Sequence, residues 1–121
     1  MGKGFTLIEL SVVIGLVGLL MLASLPALTA FRERIYLEIT SRQLLSDLRQ
    51  AQAKAICSGA DSSYDSSSLH LPGGLSSNTK QFQFAGSGAP PPGGSGTVFI
   101  QGWTGRGRSV IVSSAGRVRL E

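Results

Sequence analysis

The ionisable residue in the least expected position is Glu9, which lies inside an apolar stretch near the N-terminus. The sequence from Leu10 to Leu28 that follows it contains no charged residue. A charge at the centre of a membrane helix costs about 2.5–3.5 kcal/mol on insertion scales, and less near the helix end. Such a carboxylate normally has a partner, but no cationic residue lies within one helical turn of Glu9. We therefore expect the partner to come from another chain or from a newly made N-terminus.

A second group that could bind charge is the set of C-terminal arginines, Arg106, Arg108, Arg117 and Arg119. Arg106 and Arg108 are predicted on a glycine-rich loop, whereas Arg117 and Arg119 are predicted on a strand, where residues two apart share a face. Four guanidinium groups could follow a phosphate backbone without reading bases, and such binding would depend strongly on salt. The alternative is a solvated strand at the sheet edge, where charge discourages edge pairing.

The remaining reactive side chains predict neither catalysis nor a metal site. His70 is the single histidine and has no cluster of acids or cysteines around it, and Asp61 and Asp65 alone are thin support for calcium. Cys57 is the single cysteine, so an intrachain disulfide is excluded. We also find no nucleophile–base pair, phosphate-binding loop or paired catalytic carboxylates. The sequence therefore predicts a non-enzymatic protein without cofactor or metal.

The apolar N-terminal segment is long enough to cross a bilayer as a helix. A secretory signal peptide is the competing interpretation, with cleavage after small residues that would leave a mature N-terminus near Ala27 or Phe31. Glu9 disfavours that interpretation, because a signal peptide has little reason to carry a charge there. Pro26 removes a backbone donor and predicts a bend between about Leu22 and Pro26.

After Phe31 the pattern becomes amphipathic, and no glycine or proline interrupts it before Gly59, which predicts one helix from about Thr6 to Ser58. Charges of both signs between Arg32 and Lys54 are typical of a solvated face. The predicted inward positions follow a helical period: Ile35, Ile39, Leu44 or Leu45, Leu48, Ala51 or Gln52, and Ala55.

The C-terminal part is rich in glycine, serine and proline, and short strands alternate with turns. The predicted strands are Ser68–Leu71, Gln81–Phe84, Thr97–Gln101, and a final hairpin of Ser109–Ser113 with Arg117–Leu120. Ala85–Gly96 and most of Ala60–Ser67 are predicted as flexible loops.

The N-terminal motif Gly4-Phe5-Thr6-Leu7-Ile8-Glu9-Leu10 resembles the processing motif of type IV prepilins and type II secretion pseudopilins. The resemblance implies that prepilin peptidase cuts between Gly4 and Phe5 and methylates the new amine of Phe5. That positive amine could then pair with Glu9 of a neighbouring subunit, an attraction that strengthens as water is excluded. The alternative is that Glu9 only reaches toward the lipid headgroups.

The same resemblance implies an α+β, pilin-like fold, in which a long N-terminal helix packs on a small antiparallel sheet. The expected parts are a leader at 1–4, a membrane or filament-core helix at 5–30, its amphipathic half at 31–59 and a β-rich domain at 60–121. It also implies a single pass through the inner membrane, with a cytoplasmic N-terminus and an extracytoplasmic globular part. The implied partners are other pilin subunits, prepilin peptidase and the inner-membrane assembly platform.

The C-terminal residues from Trp103 onward, with Ser114-Ala115-Gly116-Arg117-Val118-Arg119-Leu120, are similar to the end of the GspH/FimT group of minor pilins and pseudopilins. This implies a structural subunit of a type IV pilus-like or type II secretion filament. In the FimT-like branch a Gly-Arg-x-Arg tail is implicated in DNA binding during natural transformation. DNA uptake through the four arginines is therefore the alternative function.

Overall fold

The computed structural model describes residues 4–121 and contains one long helix and six short strands. The helix α1 spans Leu7–Ser58. The strands follow in the order β1 Ser62–Asp65, β2 Ser76–Ser77, β3 Gln81–Phe84, β4 Gly96–Gln101, β5 Gly107–Val112 and β6 Val118–Leu120, with a 3-10 turn at Ser66–Ser68 after β1. The chain forms two compact units, one up to Arg32 and one from Glu33 to Glu121. Of the predicted leader, only Gly4 belongs to the described residues.

Both ends of α1 have local causes. At the start, the Thr6 side-chain oxygen accepts a hydrogen bond from the Glu9 amide at 3.3 Å, and the Thr6 carbonyl accepts one from Leu10 at 3.1 Å. A threonine oxygen satisfies amides that would otherwise lack a partner at a helix N-terminus. At the end, Gly59 adopts a φ of +64°, a conformation that glycine reaches without steric cost. The predicted helix stop is confirmed.

The buried face of α1 in the second unit differs in part from the predicted one. Leu44, Leu48 and Ala55 are buried as expected, but Ile35 and Ile39 are 39% and 55% exposed. The residues that turn inward near them are different: Leu37, Thr40 and Ser41. The prediction was wrong at the first two turns because their apolar residues lie on two faces, and the sheets cover only one.

The strands form two antiparallel sheets that supply the other half of the core. β1 pairs with β3, and the second sheet has the order β2-β4-β5-β6. Alternation along β3 and β4 buries one face, as expected for half-covered strands. The core side chains from the strands pack against α1: Phe82, Phe84, Val98, Ile100, Val110 and Val112. The predicted β3 and the final hairpin are confirmed.

Two strand predictions were wrong. Ser68–Leu71 is not a strand, because Ser66–Ser68 forms a 3-10 turn in which the Ser67 amide donates a hydrogen bond to the Asp65 carboxylate. The chain segment predicted as a loop instead contains β1, which has few apolar residues and pairs with β3 from Ser62 opposite Phe84 to Asp65 opposite Gln81. The Asp65 cap competes with strand continuation beyond this point.

The long glycine- and proline-rich loop is fastened to the helix by Gln52. Its side-chain amide donates to the carbonyl of Gly88 at 2.7 Å and to the carbonyl of Gly116 at 2.9 Å. One helical side chain thus holds both the 85–95 loop and the β5–β6 turn. The loop is more than the plain spacer that its composition predicts.

Candidate functional site

The first unit presents an apolar surface on all sides. Every large apolar residue from Phe5 to Leu28 is exposed, from Val17 at 44% to Leu7 at 86%. Soluble monomers rarely expose contiguous apolar patches of this kind. Among the described residues, α1 is the one helix long and apolar enough to cross a membrane. This segment is therefore suited to contact with lipid or with other apolar helices.

The motif residues Gly4, Phe5 and Glu9 lie together at the start of α1. With Thr6 they line an open cavity of about 530 Å³. Phe5 is 80% exposed, and Glu9 makes no salt bridge with any of residues 4–121. The peptide bond between Gly4 and Phe5 is therefore not enclosed by packing, and the Glu9 carboxylate has room for a cation.

The helix continues through Pro26. Hydroxyl groups on both sides bond to backbone carbonyls, from Ser24 to Leu20 and from Thr29 to Pro26, each at 2.9 Å. Such bonds to carbonyls of the preceding turn often accompany bending in helices. The bend at Pro26 stays a prediction.

Arg108 lies on β5, and its predicted position on a loop was wrong. Its guanidinium contacts the Glu38 carboxylate of α1 at 2.7 Å, and Arg42 contacts the other oxygen of Glu38 at 2.6 Å. Arg108 is opposite Ile100, which is fully buried, so it belongs to the sheet face that packs on the helix. Arg106 precedes it in the exposed β4–β5 loop.

Arg119 lies on β6, on the other face of the same sheet, and Arg117 directly precedes this strand. Arg119 pairs with Ile111, the neighbour of the buried Val110, and Arg117 is two residues away on the same side. Both arginines are exposed. Arg108 and Arg119 therefore lie on opposite faces of the sheet, with Arg106 in the loop before β5 and Arg117 directly before β6. Of the two predicted pairs, only Arg117 and Arg119 share one side of the sheet.

The residue that sequence reasoning missed is Glu33, which is fully buried although its charge and neighbours are typical of a solvated face. One carboxylate oxygen accepts a hydrogen bond from the Thr104 amide at 2.7 Å, and the other accepts one from the Thr104 hydroxyl. Gly102 makes this approach possible, because a Cβ there would collide with Glu33. In the same loop, Trp103 packs edge-on against Tyr36, with ring centroids 6.3 Å apart. These contacts clamp the β4–β5 loop to α1.

Glu33 is held in its charged form. Burial alone would raise the pKa of Glu33, but the hydrogen bonds from Thr104 and the positive charge of Arg106 outweigh it and lower this pKa below its ordinary value of 4.5. A paired glycine–glutamate contact of this kind has no local sequence signal. The clamp is structural, and within residues 4–121 no group of three or more histidine, cysteine or acidic residues is arranged to hold a metal ion.

A long N-terminal helix packed on two small antiparallel sheets defines an α+β, pilin-like fold. The crystal structure of the type IV minor pilin FimU from Pseudomonas aeruginosa strain PAO1 superposes with a TM-score of 0.62 at 21% sequence identity, over 75% of this chain and 92% of that one. No protein-family model matches this chain, and no curated protein matches it either. The expected α+β, pilin-like fold class is confirmed.

Proposed function

We propose that this chain is a non-enzymatic minor pilin or pseudopilin, anchored in the membrane and then built into a type IV pilus-like or type II secretion filament. The observation that carries the proposal is the exposed apolar surface of α1 with Glu9 in its first turn. A membrane would cover that surface before assembly, and the apolar helices of neighbouring subunits would cover it afterwards. The pilin fold supports the same conclusion.

In this proposal prepilin peptidase of the inner membrane cuts between Gly4 and Phe5 and methylates Phe5. The remaining chain crosses that membrane once, with its globular unit outside the cytoplasm, until the assembly platform moves it into the filament. Before assembly Glu9 has no salt-bridge partner among residues 4–121. In the filament it pairs with the Phe5 amine of a neighbouring subunit. In apolar surroundings this pair would be much stronger than in water, so it would fix the register between helices.

The test replaces Glu9 with glutamine, which keeps the size and removes the charge. Glu9→Gln should insert into the membrane and be cleaved normally, but sheared filaments should contain far less of it. Ser11→Ala is the matched control in the next turn, and it should enter filaments as the wild type does. Normal incorporation of Glu9→Gln would refute the pairing.

A second candidate function is DNA binding for uptake, which Arg117 and Arg119 favour because both are exposed on one side of the sheet, Arg119 on β6 and Arg117 directly before it. If both arginines contact phosphates, a plot of log K against log salt concentration should be steeper by about 1.8 for the wild type than for a variant that lacks both arginines. The full chain in detergent should therefore bind duplex DNA at low salt, and Arg117→Gln/Arg119→Gln should bind it weakly. Arg49→Gln/Lys54→Gln, with equal charge loss on exposed helix positions, should retain binding. Absence of binding at low salt, or equal loss in both double variants, would reject this function.

A further inference from the structure

An open groove of about 700 Å³ runs between α1 and the start of β5 in the second unit. Its helix side carries Ile35 and Ile39, the two isoleucines that the sequence placed in the core and that are instead 39% and 55% exposed. The volume is within the ~300–1,000 Å³ usual for small-molecule sites. Neither isoleucine belongs to the hydrophobic core of this unit.

The edge of the groove is positively charged. Arg34, Arg106 and Arg108 line it, and Glu38 is the one acid among its lining residues. Glu38 is already bound to Arg108 and Arg42. Neither Arg34 nor Arg106 makes a salt bridge within the described part of the chain, although the charge of Arg106 acts at longer range on Glu33. Both guanidinium groups beside the apolar floor can therefore accept a direct contact from an anion.

The groove follows the apolar segment closely along the chain. Arg34 comes four residues after Ala30, the end of the predicted span, which corresponds to about 6 Å of helix at 1.5 Å per residue. The polar layer of a bilayer adds about 5–7 Å on each side of the hydrocarbon core. For a chain anchored by residues 5–30, Arg34 is therefore expected at the depth of the lipid headgroups.

We propose that this groove binds one anionic phospholipid of the surrounding membrane. The headgroup phosphate lies between Arg34 and Arg106, and the first methylenes of an acyl chain lie on Ile35 and Ile39. Guanidinium groups form paired hydrogen bonds with phosphate oxygens, and positive residues next to a membrane span attract anionic lipid. A zwitterionic lipid is disfavoured because its ammonium group cancels the net charge that the two arginines attract. The inference rests on the proposed membrane anchoring.

The experiment measures lipid retained by the full chain in detergent, by native mass spectrometry, after titration with phosphatidylglycerol or phosphatidylcholine. The wild type should retain one phosphatidylglycerol in preference to phosphatidylcholine. Arg34→Gln/Arg106→Gln should lower the phosphatidylglycerol affinity about thirty-fold, which corresponds to about 2 kcal/mol. Arg117→Gln/Arg119→Gln loses the same charge on the opposite sheet face and should bind as the wild type does. Ile39→Asn should weaken binding although every arginine remains.

Three results would overturn the proposal. The first is equal retention of both lipids. The second is equal weakening in the two arginine double variants, which would indicate attraction by net charge alone. The third is competition by inorganic phosphate at the same concentration as the lipid, which would indicate a simple anion site.

Two further measurements distinguish lipid binding in the groove from binding of another subunit there, and from failure of the membrane anchoring itself. A photoreactive residue at position 39 should crosslink to lipid in cells, and a protein adduct in its place would assign the groove to another subunit and overturn the lipid proposal. Resistance of the full chain to alkaline extraction from phosphatidylcholine vesicles tests the anchoring itself. Extraction would reject the proposed function, whereas firm insertion without lipid preference would reject only the groove.

Discussion

Replacing Gln52 with leucine should destabilise the globular unit far more than the same change elsewhere on the helix. Among residues 4–121, Gln52 is the helix residue whose side chain donates hydrogen bonds to both the 85–95 loop and the β5–β6 turn, at 2.7 Å to Gly88 and 2.9 Å to Gly116. Both carbonyls belong to buried glycines, so the leucine variant leaves two acceptors without this donor. At about 0.5–1.5 kcal/mol for each hydrogen bond, the expected loss is about 2 kcal/mol. For a unit of this size that corresponds to a fall in Tm of about 10 °C.

The assay is thermal unfolding of the full chain in detergent, followed by the fluorescence of Trp103. This is the single tryptophan of the chain, and it lies in the clamped β4–β5 loop, so its signal reports on the globular unit and not on the apolar part of α1. Gln50→Leu is the matched control, because Gln50 is exposed and has no hydrogen bond from its side chain within residues 4–121. Its Tm should stay within about 2 °C of the wild type. Equal Tm values for the two variants would refute the role assigned to Gln52.

Two more predictions concern the same unit. The pKa of Glu33 is lowered, so its ionised form stabilises the fold at pH values above 4.5, its ordinary pKa, and this contribution should be lost as the pH falls below 4.5. The Tm of the wild type should therefore drop more steeply with acidification than the Tm of Glu33→Gln. Parallel curves of Tm against pH for the two proteins would contradict the clamp. Gly116 has a φ of +78°, and a Cβ there would lie 2.6 Å from the Gly88 carbonyl oxygen, so Gly116→Ala should cost about 2–4 kcal/mol in chemical denaturation. Gly73→Ala, which meets no atom within 4 Å and has no positive φ, should cost less than about 1 kcal/mol, and similar losses for both would contradict the strain argument.

The parts of the fold that the sequence predicts are those with a local cause. The helix stop at Gly59, the alternation of β3 and the glycine turn before β6 each depend on a few neighbouring residues. The course of β1 does not, because its serines have no apolar alternation and it is defined by pairing with β3. Local pattern therefore predicts where elements begin and end better than which of them pair.

The candidate sites divide in the same way. The predicted processing motif and Glu9 can be recognised in the sequence because they lie within a few consecutive residues. The exposure of Ile35 and Ile39 is not readable, since it depends on which face of the helix the sheets cover. The burial of Glu33 depends on Thr104, 71 positions along the chain. The ion pair between Glu38 and Arg108, which removes one arginine from the predicted DNA surface, likewise joins distant segments.

The mass of the mature N-terminal peptide tests the central claim most directly. Protein isolated from the membrane of its own cells should begin at Phe5 and carry one methyl group on the Phe5 amine. A mature chain that begins near Ala27 or Phe31 would identify an ordinary signal peptide and contradict assembly through the apolar helix. An unprocessed chain that still begins at Met1 would contradict the proposed cleavage after Gly4.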